Sequence, residues 1–311
     1  MAYRELAQML QTLPAMLRVW KALSTGSSAI SRCIQTIAKL DGLEKTDLVK
    51  QAIVSEWATA LPVILQLSEK LPARTDMICH YIKALPVLMQ ISRNLPERDS
   101  IFVQQFPELA GLPVIREEYL VDMSKGKRVL HFGFLDAPFS EDRVRSGDLL
   151  HLKLKQVASH LYGIDSNGPA LDRYRQLTGD SNNDVEDIQQ MGQPSIHSRS
   201  YDLILFPEIL EHLGNPGKAL ENLKQVCLKS AGAKLCVTVP NAYYAGSFLR
   251  ALDGDEIVHP EHYYYFSPAT LRKLLSDAGF AVLEMALYGS RDSAALPGIT
   301  KNGVIAVCQL A

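Results

Sequence analysis

A chain of 311 residues, 47% hydrophobic and 21% charged, has the composition of a soluble globular protein with room for two domains. Its net charge of −2 excludes bulk electrostatic attraction to nucleic acid, so no nucleic-acid partner is expected. Five scattered cysteines without a C-x-x-C pair fit reduced thiols in a cytoplasmic setting better than a disulfide framework or a zinc knuckle. The N-terminal stretch MAYRELAQMLQTLP lacks the apolar run of a signal peptide. No window of about 18 apolar residues occurs, so no membrane span is expected.

Residues 1–118 read as helical. Apolar residues recur at three- and four-residue spacing, as at Leu6, Leu10, Leu13, Leu17 and Trp20. An internal repeat follows, LPVILQLSEKLPAR at 61–74 and LPVLMQISRNLPER at 85–98, offset by 24 residues, with a fainter LPAMLRVWKAL at 13–23. In each full copy the first proline suits the first turn of a helix, where its missing N–H is not needed. Val63, Ile64, Leu67 and Leu71, and equally Val87, Leu88, Ile91 and Leu95, then form one apolar face. Pro72 and Pro96 end the helices. Short packed helices of this kind predict an oligomerisation surface (a homodimer), a lid or a partner surface. Their mixed polar faces lack the basic bias of a membrane-lying helix. The segment 99–124, with Pro107, Pro113 and Asp122, reads as a connector, and the second domain is assigned to 119–311.

From Lys127 onward, strand-like and helix-like segments alternate. Strands are predicted at 127–132, 160–165, 201–206, 234–240, 281–287 and 303–309, with one further short strand near 181–183. Helices are predicted at 146–158, 168–177, 216–229 and 268–278. Alternation at this spacing predicts a doubly wound, Rossmann-like α/β sheet, mostly parallel. The last strand, GVIAVCQL, follows its predecessor without a helix and is expected to be antiparallel.

In such a sheet, ligands bind outside the carboxyl ends of the strands. The stretch KRVLHFGFLDAP at 127–138 is a strand that stops at Gly133 and hands over through Asp136. Asp165, at the end of the second strand, is placed to accept hydrogen bonds from a ribose diol; a turn or cap role before Pro169 is the alternative. Asp184 with Val185 could read an adenine, with Asp187 as rival. The candidate cofactor contacts are thus Gly133, Asp136, Asp165, Ser166, Asp184, Val185 and Phe206. A helix starting at 208 would place Glu208, Glu211 and His212 on one face. Those residues could hold Mg²⁺ or another divalent ion, completed by His259 or His262. Otherwise the two carboxylates favour a helix start, and His212 is a pocket-lining or general-base histidine. His131, on the apolar first strand, is expected to be a hydrogen-bonded core histidine. Tyr243, Tyr244, Tyr263, Tyr264, Tyr265 and Phe266 either floor an acceptor pocket or pack under the last helix.

With these residues in view, 127–309 resembles the class I S-adenosylmethionine-dependent methyltransferases of the group in which strand four leads into E-x-x-E-H-L and strand five ends in V-P-N. Here those motifs are Glu208–Leu213 and Val239–Asn241, and HPEHYYYFSPATLRKLLSDAGF resembles the segment before that group's sixth strand. The usual D-x-G-x-G-x-G is replaced by His131-Phe-Gly133-Phe-Leu-Asp136-Ala. The resemblance implies S-adenosylmethionine as cofactor and methyl transfer, most simply to a hydroxyl of a small-molecule or saccharide acceptor. It implies catalytic roles for His212 and Glu211. It also implies a divalent ion on Glu208, Glu211 and His212, as in related enzymes that chelate neighbouring hydroxyls, with His262 as the candidate further ligand. A non-catalytic scaffold of the same fold, acting through residues 1–118, is the competing expectation. A nicotinamide-dependent enzyme is opposed by the missing G-x-G-x-x-G.

Overall fold

The structure, a computed structural model, describes residues 115–190, 199–252, 254–289 and 302–311. The repeats of residues 1–114 lie outside the described residues. The chain divides into two units: residues 104–247 with 257–311, which carry the sheet, and residues 1–103 with 248–256.

The sheet has seven strands: β1 (Arg128–Phe132), β2 (His160–Asp165), β3 (Asn183–Val185), β4 (Leu203–Pro207), β5 (Lys234–Pro240), β6 (Phe280–Tyr288) and β7 (Gly303–Leu310). Their order is β3-β2-β1-β4-β5-β7-β6. Pairs from β3 to β5 are parallel, and β7 runs antiparallel to both β5 and β6. The predicted doubly wound sheet and its antiparallel last strand are both present. The chain reverses its direction of winding between β1 and β4, and that switch point opens the crevice at the strands' carboxyl ends.

The central strands read as continuous apolar runs because both faces are covered. All five residues of β4, LILFP, are buried. One face packs Leu130, Phe132, Ile204, Phe206, Leu235 and Val237 against α5 (Pro216–Lys229) and α7 (Pro268–Asp277). The other packs Val129, Leu203, Leu205 and Cys236 under α1 (Arg116–Ser124) and α3 (Leu150–Val157). Each leucine so buried contributes about 2 kcal/mol. The helices start where their caps dictate. Asn215 accepts from Lys218 N (3.0 Å) ahead of Pro216, and Ser267 with Thr270 forms a capping box ahead of Pro268. Asn167 caps α4 (Gly168–Thr178) by accepting from Ala170 N at 3.1 Å.

Several boundaries differ from the sequence reading, among them the short strand expected near 181–183, which is β3 at Asn183–Val185. Residues 116–124, expected as connector, form α1, whose Leu120 is fully buried in the second core. The helix expected at 146–158 starts later, as α3, and a separate helix, α2 (Ser140–Ser146), precedes it and is closed by Gly147 in a left-handed conformation (φ 74°). A further helix, α6, spans Ala245–Leu252. Among the described residues no helix is long and apolar enough to cross a membrane.

Candidate active site

At the β1–β2 end the chain turns at Gly133, which has φ 57° and donates its N–H to Ile164 O at 2.7 Å. A Cβ at this position would lie 2.8 Å from Ile209 Cδ1, so glycine is required by conformation and by space. Asp165, 7% exposed, closes the turn from the neighbouring strand. Its Oδ2 accepts from Leu135 N and its Oδ1 from Asn167 N, both at 2.9 Å. Burial raises this carboxyl above its ordinary value, against the backbone N–H groups of Asn167, Leu135 and Ser166. Among the described residues no lysine or arginine pairs with it. At least one lone pair of the carboxylate is therefore left for a further donor.

The other expected cofactor contacts divide. Ser166 is exposed beside Asp165, and Val185 is 41% exposed. Asp184 receives the hydroxyl of Tyr162. Its rival Asp187 is occupied by Gln189 N (2.9 Å) and Gln190 Nε2 (3.1 Å). Asp136 pairs with Arg143 at 2.9 Å. Phe206 is fully buried and meets Phe132 edge-on at 5.6 Å, so its side chain belongs to the core.

The β4 end is built differently. No helix starts at 208: Glu208 takes φ 52°, a conformation that costs a non-glycine residue energy, and only a short 3₁₀ turn (Leu210–His212) follows. Glu208, Glu211 and His212 consequently do not share one helical face. Oε1 of Glu208 accepts from Thr238 Oγ1 and Tyr288 Oη, both at 2.7 Å, and lies 3.5 Å from Arg116 Nη1. Arg116 also sits over the Tyr288 ring, 5.6 Å from its centroid. Glu211 is wholly buried, and neither of its oxygens has a hydrogen-bond partner. Burial, then the adjacent Glu208, push its carboxyl up to about 9, so it is a neutral acid at pH 7.

His212 meets His259 and His262. Ring nitrogens of the three lie within 4.8 Å of one another, and no other such group of His, Cys, Asp or Glu occurs among the described residues. Tyr263 N donates to Glu211 O at 2.7 Å and His262 N to His259 O at 3.0 Å, which folds HPEHYYYF onto the turn. Glu261 approaches His212 Nδ1 at 3.7 Å. Burial and His259 hold His212 below the ordinary imidazole value. Tyr243 and Tyr263 expose 55% and 70% of their surface, and the Tyr264 hydroxyl is pinned to Gly214 O at 3.1 Å. Phe266 is in the core.

His131 is a hydrogen-bonded core histidine, as expected, 1% exposed and 3.2 Å from His151. Sequence reading missed Arg116, Thr238 and Tyr288 around Glu208. Thr238 within the apolar strand LCVTVP was the one available signal. The other two come from a segment read as connector and from a far strand.

A family model described as a methyltransferase domain matches residues 117–285, more than half of the chain. The chain belongs to this family, the class I S-adenosylmethionine-dependent methyltransferases, and S-adenosylmethionine is its cofactor. It is similar to magnesium protoporphyrin IX methyltransferase from Synechocystis PCC 6803, solved with bound SAH: 16% identity, TM-score 0.43, 63% of this chain and 82% of that one. It is also similar to an S-adenosylmethionine-dependent methyltransferase from Mesorhizobium loti: 14% identity, TM-score 0.42, 62% of this chain and 95% of that one. A third is the small RNA methyltransferase HEN1: 18% identity, TM-score 0.45, 67% of this chain and 26% of that one. No residue role is taken from these likenesses. No curated protein sequence matches the chain.

Proposed function

We propose that this chain transfers the methyl group of S-adenosylmethionine to a hydroxyl oxygen of a small-molecule or saccharide acceptor. The reading rests on one juxtaposition. Asp165 ends β2 and His212 follows β4, the two strands that flank β1 at the switch point. A carboxylate without a cation stands on one side of the crevice, and an uncharged imidazole on the other.

The cofactor supplies the methyl group on a sulfonium, a good leaving group for in-line displacement. Asp165 accepts from the ribose diol with its spare lone-pair capacity, and Gly133 lets the backbone approach closely. Ser166 lies beside that diol. Val185 gives the adenine an apolar contact, and Asp184 is oriented by Tyr162. The exposed rings of Tyr243 and Tyr263 stack on a sugar or ring of the acceptor. His212, neutral at pH 7, takes the hydroxyl proton as the oxygen attacks. Glu211, protonated beside it, adds no negative charge to the site.

The same cluster bears on the expected divalent ion. Three imidazoles suit zinc or a similar transition ion better than magnesium, which prefers oxygen ligands. His212, His259 and His262 would hold it, and it would supply Lewis-acid acidification of the hydroxyl as the alternative to His212 acting as the base. Glu208 is turned to Thr238, Tyr288 and Arg116, which supports a three-histidine set over the expected Glu208, Glu211, His212 and His262. A partner surface, lid or homodimer interface in residues 1–118 and a cytoplasmic location complete the reading. The test is transfer of labelled methyl to a panel of hydroxyl and amine acceptors. Labelled ethers are the expected products; label confined to amines would refute the hydroxyl assignment.

A further inference from the structure

Two glycines of the resembled loop pattern are Leu135 and Ala137 here, so this loop needs a different support. Phe134, just before them in the chain, is 3% exposed. Its ring stacks on His151 of α3, with centroids 4.1 Å apart and planes 29° apart, and meets Tyr174 of α4 edge-on at 5.1 Å. His151 in turn contacts His131 of β1, Nδ1 to Nδ1, at 3.2 Å. Gly163 of β2, in register with His131, leaves the room this stack needs. A Cβ at 163 would fall 2.6 Å from Phe134 Cε1 and 2.9 Å from His151 Cε1, closer than such atoms approach. One residue beyond Phe134, Leu135 N donates to Asp165.

We propose that His151 and Gly163 are positioning residues for the cofactor: they fix the Phe134 ring, and Phe134 fixes the Leu135 N–H against the Asp165 carboxylate. Simple core filling would not call for this pair. Both histidines are 1% exposed, and His151 leaves its Nε2 buried without a partner. An apolar pair of the same shape would pack without that desolvation cost. What the imidazoles add is orientation. Burial keeps both neutral, so one ring nitrogen must donate where the other accepts, and the His151 plane under Phe134 is set. The preorganisation that glycines give a loop through close backbone approach is here supplied from beneath by a stacked ring. The inference rests on the reading of Asp165 as the ribose ligand.

Gly163→Ala tests it without touching the crevice. Alanine suits a strand interior better than glycine, so the sheet is kept while Phe134 is displaced. Calorimetric titration of the full chain with S-adenosylhomocysteine should show roughly tenfold or weaker affinity, the cost of misplacing a binding group by a fraction of an ångström. KM for S-adenosylmethionine should rise while kcat at saturation stays near the wild-type value. Adding Phe134→Leu should relieve the clash, so the double variant binds tighter than Gly163→Ala alone. Leu275→Ala, a destabilising change in the opposite core, should leave affinity unchanged. Should Gly163→Ala fail to fold, His151→Phe carries the same test, since it keeps a stacking ring and removes the contact to His131. Wild-type affinity in Gly163→Ala or, where that variant does not fold, in His151→Phe, with binding lost in Asp165→Ala, would overturn the positioning role alone. No binding by the folded wild type would overturn it together with the reading beneath it.

Discussion

The two sides of the crevice hold their polar groups by opposite means. At the β1–β2 side, Asp165 is fixed by backbone N–H groups, and two neutral histidines face each other out of water. At the β4 side, Glu208 is held in a left-handed conformation by side chains from three elements, Glu211 keeps two unbonded oxygens, and three imidazoles crowd together. The first side holds its carboxylate through backbone N–H groups in an ordinary conformation, with the His151 Nε2 as an unmet buried atom. The second stores strain and unmet hydrogen-bonding capacity, which is where a reaction that moves a proton is expected to lie.

The sharpest way to break this comparison is to change the reacting side and look for an effect on binding. His212→Ala should lower kcat by about 10² to 10⁴, the usual contribution of a general base, and leave S-adenosylhomocysteine affinity unchanged. An equal loss of affinity would mean that the two sides are one site. A smaller effect concerns metal. If the imidazole cluster holds zinc, elemental analysis of protein dialysed against the ion should find one equivalent per chain, lost in His259→Ala with the fold retained. Smaller still, Thr238→Val removes one bond to a charged carboxylate and should cost about 1.5–3 kcal/mol in urea unfolding. Tyr288→Phe should behave alike, and the pair should be non-additive because both serve one oxygen of Glu208.

The smallest effect lies away from the crevice. Arg128 donates to Asp202 from its backbone and its guanidinium, and holds that carboxyl down to about 2. A depressed carboxylate stabilises the fold above its unfolded pKa, near 4, and loses that contribution as pH falls through the folded value. Asp202→Asn should therefore unfold slightly more easily than wild type at pH 7. The gap should close between about pH 4 and pH 2, as read from urea midpoints. The pair is about half exposed, so screening keeps the effect small.

How much of this was legible in the sequence follows from the range of the forces involved. The strands, their alternation with helices and the antiparallel end were readable because periodicity and caps are local: ILF before Pro207, Asn215-Pro216, Ser267-Pro268. The position of Asp165 at a strand end was readable because it depends on local sequence alone. The Glu208 turn was not. Its left-handed backbone is imposed by Thr238, Tyr288 and Arg116, which lie 30, 80 and 92 positions away, so a helix start was the natural local reading. The three-histidine cluster was half legible. His259 and His262 were visible as neighbours of a turn, but their meeting with His212 depends on Tyr263 N reaching Glu211 O. The support beneath Phe134 needed three elements and a missing Cβ, which no window of sequence contains.

The most direct test of the account is calorimetric titration of the full chain with S-adenosylhomocysteine, wild type beside Asp165→Ala. Asp165 holds the loop through two backbone bonds, and under the proposed function it also binds the ligand, so its removal should weaken a micromolar affinity by at least about a hundredfold. Wild-type protein that is folded and shows no binding at millimolar ligand would contradict the account, and so would Asp165→Ala binding as tightly as wild type.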